Sequence, residues 1–416
     1  VGRVAASESA VPAANRELVL RGQPAGTAEF LGFDDNANLL FRDAQRGTNA
    51  VPVANLVRWS YPPVWRAAAA VELRDGSRIH LAAGFSGVPA IALSASQPQI
   101  IELRSGLLGE FAVPRSWVRS AAWNLPADAS RQDRRWRQLA RWTPAKQLQP
   151  LDQVWLAGGD RVDGSVVAMG DSRQGQPADN AALLLEGRLG THAVPADRLH
   201  GVAFAPPADA PAHSSAPVVP CWVGLQDGSL LAVSRYRAQG DRVRLIAVCG
   251  WEVPLLKRES VSFLQAGAGT IDYVDQHLPH QFEHRPTFGS PRTPGARGNV
   301  HGGPLVVAGN VYLRGVGVST ASRLVYPIPS GARQFVASVG VDDASQGGGS
   351  VVFRVALRSG DQAWREVART RVVRGGESPE SIRVAVGDAT EIELATEYAD
   401  RGDELDDADW LEARFE

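Results

Sequence analysis

Tyr312 to Pro329 reads YLRGVGVSTASRLVYPIP, Phe335 to Leu357 reads FVASVGVDDASQGGGSVVFRVAL, and Glu404 to Phe415 reads ELDDADWLEARF. Apolar residues here recur at every second position. Phe335, Ala337, Val339 and Val341 share one side, as do Val351, Phe353, Val355 and Leu357. Ile382, Val384 and Val386 repeat the pattern, followed by Ile392 and Leu394. A period of two with Gly, Asp, Ser and Pro between runs predicts half-buried antiparallel strands. Five or more such strands after residue 312 have the density of a β-sandwich or jelly roll.

Several ordered motifs in this stretch resemble the NPCBM family of carbohydrate-binding modules. They are Gly315-Val316-Gly317-Val318 with Ser322-Arg323-Leu324 and Tyr326, then Phe335, Val339-Gly340-Val341-Asp342-Asp343 and Val351-Val352-Phe353-Arg354-Val355. Asp406-Asp407-Ala408-Asp409-Trp410 closes the match, and Asn299-Val300-His301-Gly302-Gly303-Pro304-Leu305 resembles its lead-in. The resemblance implies a galactose-binding-like jelly roll over residues 268–416, with sugar and in some members calcium at the loops. One position departs from the family. Relatives carry a His after the glycine-rich turn where this chain has Ser319-Thr320, which implies a changed sugar preference or a lost site.

The residue types suit a sugar, which offers hydroxyls in many directions and one apolar CH face. Carboxylates and guanidinium groups hold hydroxyls, and an indole covers the CH face. The candidate carbohydrate-binding residues are Asp342, Asp343, Asp409 and Trp410, with Trp364 and Arg358 as outlying candidates. Clustered Asp oxygens also suit calcium, and Asp406 and Asp407 are its candidate ligands. Each residue also has a structural reading: Asp caps turns, and a Trp ending a strand packs in a core.

Upstream, Val-Pro recurs in four similar units, at Val51-Pro52, Val113-Pro114, Val194-Pro195 and Val253-Pro254. Each follows an apolar run, and Asp75-Gly76 and Asp227-Gly228 sit between alternating runs as hairpin signals. The units, 16–60, 69–123, 151–205 and 219–265, are near the lower size limit for a core of their own. They should pack in pairs or close as small barrels, and their strand rhythm weakly resembles Sm-like folds. The expected organisation is all-β: paired barrel-like repeats at 16–123, a helical connector at 124–150, a second pair at 151–265, then the sandwich. Near Ala129 to Trp142 five Arg share a segment with Trp136, Leu139 and Trp142, as in an amphipathic connector helix. PPADAPAHSSAPVVP, from Pro206, reads as a spacer. Residues 266–303 are loop-rich, and the family resemblance implies that they wrap the sandwich. His277, His280 and His284 have a spacing that zinc could use, although no Cys accompanies them and Pro279 and Pro286 argue against one shared helix.

Composition sets the remaining bounds. The 416 residues carry 43 Lys and Arg against 45 Asp and Glu, so no basic footprint for nucleic acid exists. No run of eighteen apolar residues occurs, so no transmembrane helix is expected. Cys221 and Cys249 are the two cysteines, and a disulfide or two buried thiols are equally consistent with their positions. No Gly-x-Ser-x-Gly elbow, Walker loop or His-Glu-x-x-His helix appears, and the acidic residues are scattered over turns. The expectation is a non-catalytic glycan- or polysaccharide-binding protein, secreted, periplasmic or in the cell envelope. Its only foreseen cofactor is the calcium considered above, and the repeats are a spacer or accessory face. The alternative is an exported assembly protein whose sandwich and repeats bind protein partners without sugar.

Overall fold

A computed structural model describes residues 16–34, 36–43, 47–63, 69–82, 90–93, 96–125, 151–170, 181–188, 190–206, 220–267, 271–287, 289–400 and 405–416. The predicted connector helix and most of the Pro/Ala/Ser spacer lie outside these residues. Every regular element described is a β-strand or a three-residue 3-10 turn, so the fold is all-β.

The four N-terminal units share one plan. A strand and turn lead into a meander, then a 3-10 turn, then a last strand that pairs back onto the first. The turns are Val53–Asn55, Arg115–Trp117, Ala196–Arg198 and Arg258–Ser260. Closure joins Leu56–Trp59 to Arg16–Leu20, Val118–Ala122 to Ala69–Leu73, Leu199–Ala203 to Asp152–Leu156, and Val261–Ala266 to Cys221–Leu225. Pro52, Pro114 and Pro195 each precede a turn, where the missing N–H costs nothing. In the fourth unit that position is Lys257, so Val253-Pro254 is offset from the other three Val-Pro pairs.

Pairing between units departs from the expected pairs within 16–123 and within 151–265. Val118–Ala122 pairs with Leu199–Ala203, and Leu56–Trp59 with Val261–Ala266. The second unit therefore joins the third, and the first joins the fourth. The physical reason lies in the strand edges: these pairings satisfy backbone N–H and C=O groups that the closing strands would otherwise leave open.

The second and fourth units also exchange their Asp-Gly-Ser turns. Ser77 Oγ accepts from Ala232 N and Ser229 Oγ accepts from His80 N, both at 2.9 Å. The turn glycines must be glycines on two counts. Gly76 and Gly228 have φ of 92° and 93°. A Cβ on Gly228 would stand 2.4 Å from the His80 ring, and one on Gly76 3.1 Å from Trp222. Cys221 and Cys249 are separate thiols, each pushed up to about 12 by burial.

The C-terminal sandwich has two sheets. One runs Gly295–Ala296, Gly315–Ser319, Asp407–Phe415, Gln334–Val341, Glu380–Ala385; the other runs Gln281–His284, Ser322–Pro327, Glu391–Tyr398, Ser350–Arg358, Arg365–Arg369. Phe335, Phe353, Leu394 and Trp410 fill the space between them. The stretch after residue 266 does wrap the sandwich: Asp272–Tyr273, Gln281–His284 and Gly295–Ala296 each add a short strand.

The last strand, Asp407–Phe415, is buried at every residue. Ala408, Trp410, Ala413 and Phe415 belong to the sandwich core. Glu412, at φ 48°, marks a break in the alternation and in the register opposite Val336 to Ser338. From this break Glu412 reaches the repeats. Arg58, itself 3% exposed, donates to Glu412 at 2.9 Å and to Glu17 at 3.0 Å. Its guanidinium also lies 4.0 Å from the Tyr61 ring centre, and Tyr61 meets Tyr312 edge to face. Burial works against the Arg58 charge, but Glu412 and then Glu17 outweigh it and hold the charge on.

Removing one partner of such a pair strands the other charge. Arg58→Ala should cost about 3–5 kcal/mol, whereas Arg58→Met with Glu412→Leu should recover most of that loss. Denaturant unfolding of both variants checks this, and an Arg58→Ala protein as stable as the parent would contradict it.

Candidate functional site

The acidic residues of the sandwich gather at one end, where the lead-in crosses the turn after Gly315–Ser319. Strand alternation sends Ala408 and Trp410 inward and Asp407 and Asp409 outward. The outward face meets the lead-in segment 292–303 instead of solvent. Asn299 donates from Nδ2 to Asp342 Oδ1 at 3.2 Å, while its own Oδ1 accepts from Gly303 N and His301 N.

Asp342 and Asp343 hold backbone. Asp342 accepts from Ala344 N at 2.8 Å and Val306 N at 3.1 Å. Asp343 accepts from Ala308 N and Gly309 N at 3.0 and 2.8 Å. Together they clamp the small hairpin of Leu305–Val307 and Asn310–Tyr312. Asp406 accepts from Ser350 N at 2.7 Å and from Thr320 Oγ1 at 3.3 Å.

Asp407 is different, because its partners are side chains, two of which reach the surface. Its Oδ1 accepts from Ser319 Oγ at 2.7 Å and Arg292 Nη1 at 3.2 Å, and its Oδ2 lies 2.5 Å from His301 Nε2. The Arg292 side chain is 51% exposed and that of His301 42%. His284 supports this set from below: its Nε2 donates to Thr320 O at 2.9 Å, and its Nδ1 accepts from Arg292 N at 2.8 Å. Arg292 and Ser319 were not among the residues singled out as sugar contacts. Nothing local marks Arg292, which lies 115 positions from Asp407.

Asp409 has no open face. Both of its oxygens are buried, and no N–H or hydroxyl among the described residues donates to them. Burial pushes its carboxyl well above the usual range, and the Asp342 carboxyl, then Asp407 and Asp343, push it further. A carboxyl held neutral carries one O–H, for which Asp342 is the acceptor at hand.

Trp410 must be corrected as a sugar platform. It is fully buried, edge to face with Phe353 at 5.2 Å, and its Nε1 donates to Thr396 Oγ1 at 3.1 Å. Arg358 and Trp364 are not brought to the acidic end. Asp406 holds Ser350 at the start of a nine-residue strand, whereas Arg358 closes that strand. At strand rise the two ends are about 26 Å apart. Arg358 and Arg323 lie over the Trp364 ring at 4.5 and 5.4 Å, and ion pairs hold them to Glu391 and Glu393. The guanidinium groups take the place a sugar would need.

The calcium reading fits the geometry poorly. N–H and O–H donors already face Asp406 and Asp407, and such donors repel a cation. Among the described residues no group of three or more His, Cys, Asp or Glu side chains is placed to hold a metal ion. His277, His280 and His284 diverge, toward Asp272, Glu391 and Thr320 respectively.

The buried Asp409 carries a pH signature. The unfolded chain loses this proton near 3.8, while the folded chain keeps it to a higher pH. Its contribution to stability therefore falls as pH climbs from 3.8 toward the raised folded value, and the penalty is complete above that value. Asp409→Asn should match the parent near pH 3 and exceed it near pH 7. Thermal unfolding at both pH values tests this, and a variant less stable at the higher pH would contradict it.

Comparison with known proteins converges on this sandwich. Residues 278–416 match the family NPCBM/NEW2 domain. A protein of Renibacterium salmoninarum named "Putative endo-alpha-N-acetylgalactosaminidase" is 29% identical over 114 residues, which are 27% of this chain and 7% of that protein. The chain thus spans a small fraction of this curated relative. Two solved structures from Clostridium perfringens are also similar. CBM51 of GH95 in complex with methyl-galactose is 17% identical, with 35% of this chain and 98% of that chain covered at a TM-score of 0.30. CBM51-2 with GlcNAc and INT domains of ZmpB is 21% identical, with 44% and 39% covered at a TM-score of 0.31. Scores this low fix no residue correspondence. The family match rests on the sequence, and it covers residues 278–416.

Proposed function

We propose that the protein is a non-catalytic glycan-binding protein whose sandwich takes sugar at its acidic end, around Asp407. The observation that supports this most directly is a polar set ordered before any ligand arrives. Ser319, Arg292 and His301 converge on one carboxylate, and Arg292 and His301 keep half-exposed edges. A sugar hydroxyl both donates and accepts, so a surface alternating carboxylate, guanidinium, imidazole and hydroxyl suits it. Preorganisation lowers the entropy cost of capture.

The absence of a catalytic role is part of the same reading. Glycoside hydrolysis needs two carboxyls facing each other across the scissile bond. At this end Asp342, Asp343, Asp406 and Asp407 are each engaged by fixed donors, and Asp409 is enclosed. The four barrels act as a base, since Arg58 of the first unit and Gln265 of the fourth both hold Glu412 of the sandwich. The reading places the chain where glycans are met, outside the cytoplasm. Among the described residues no helix is long and apolar enough to cross a membrane.

A printed glycan array probed with the full chain, in calcium and in chelator, tests this. Binding to a defined glycan is expected in both conditions. Arg292→Ala combined with His301→Ala should weaken that binding by about tenfold or more. Failure of the folded parent to bind any glycan would contradict the proposal, as would unaltered binding by the double variant.

A further inference from the structure

We infer that Tyr398 and Leu405 form a stacking subsite for a second sugar ring, beside the polar set around Asp407. The inference rests on the glycan-binding reading and extends it to an oligosaccharide. Among the described residues three large hydrophobic side chains are exposed, and two of them flank this end: Tyr398 at 50% and Leu405 at 51%. The third, Leu278, lies in the lead-in.

Strand alternation explains why Tyr398 is open. Ile392, Leu394 and Thr396 face the core, the last of them bonded to Trp410. Tyr398 continues that side one step past the packed layer, opposite Val351, so it sits at the mouth between the two sheets. The neighbouring turn packs its bare backbone against Leu405. Gly347 and Gly349 have φ of 77° and 80°, and a Cβ on Gly348 would stand 2.7 Å from the Leu405 side chain. Arg374 and Asp400, both half exposed, form an ion pair at the same rim. An apolar shelf with charged hydrogen-bonding groups at its edge matches a pyranose, which has a CH face and a ring of hydroxyls.

The shelf and the polar set are contiguous. Ser319 bonds Asp407, while the next residue, Thr320, bonds Asp406 by both its N–H and its hydroxyl. Asp406 in turn holds Ser350, whose carbonyl accepts from Ala399 N and whose hydroxyl accepts from Asp400 N. Asp406 and Ser350 thus tie the strand end that carries Tyr398 to the one that carries Asp407, at one end of the sandwich. On this inference one oligosaccharide lies across both.

Tyr398→Ala and Tyr398→Phe separate this from the parent reading. The probes are an oligosaccharide selected on the array and the monosaccharide of its terminal unit, titrated calorimetrically against the full chain. Tyr398→Ala should lose roughly tenfold in affinity for the oligosaccharide and much less for the monosaccharide, at an unchanged melting temperature. Tyr398→Phe should keep the affinity. Equal binding of the oligosaccharide by parent and Tyr398→Ala would overturn the subsite and leave glycan binding standing. A parent that binds neither probe would overturn both.

Discussion

Everything distinctive about the C-terminal module follows from one strand that has no solvent face. Asp407–Phe415 packs Trp410 and Phe415 into the sandwich and must cover its other side as well. The lead-in covers Asp407 and Asp409, the hairpin at Leu305–Tyr312 covers Leu411, and the repeats cover Glu412 through Arg58. A buried ion pair contributes little net stability, but it tolerates one partner geometry. The Arg58 and Glu412 pair therefore fixes how the sandwich sits on the barrels more than how firmly it holds.

The same constraint divides the acidic residues by role. Asp342, Asp343 and Asp406 replace missing backbone partners where the sheets end, which is the usual fate of a buried carboxylate. Asp409 is enclosed so completely that neutrality is its stable form. Asp407 is held by side chains that reach water, Arg292 and His301, so the proposed ligand chemistry at this end concentrates there.

Much of this was legible in the sequence. Period-two alternation marked the strands of the sandwich, and the Asp75-Gly76 and Asp227-Gly228 turns fell where the hairpins turn. The alternation even held the answer for Trp410, since it shares a side with Ala408 and Phe415 lies beyond a break on that same side. Residue type misled there, because an indole beside carboxylates reads as a sugar platform when chain direction is ignored. Arg358 and Trp364 were separable from the site only through strand register. The partners of Asp407 and of Glu412 are 106 and 354 positions away, at His301 and Arg58, and no local pattern encodes them. Nor could four similar units reveal which last strands would pair, because those pairings join segments far apart in the chain and no local pattern marks them.

The proposal turns on sugar being held at the acidic end of the sandwich and not over Trp364. Crystals of the full chain with an array-selected glycan would test it most directly. Sugar density is expected against Arg292, His301 and Tyr398, with the Arg358 and Arg323 stack on Trp364 unchanged. Sugar lying on the Trp364 ring, with the acidic end empty, would contradict it.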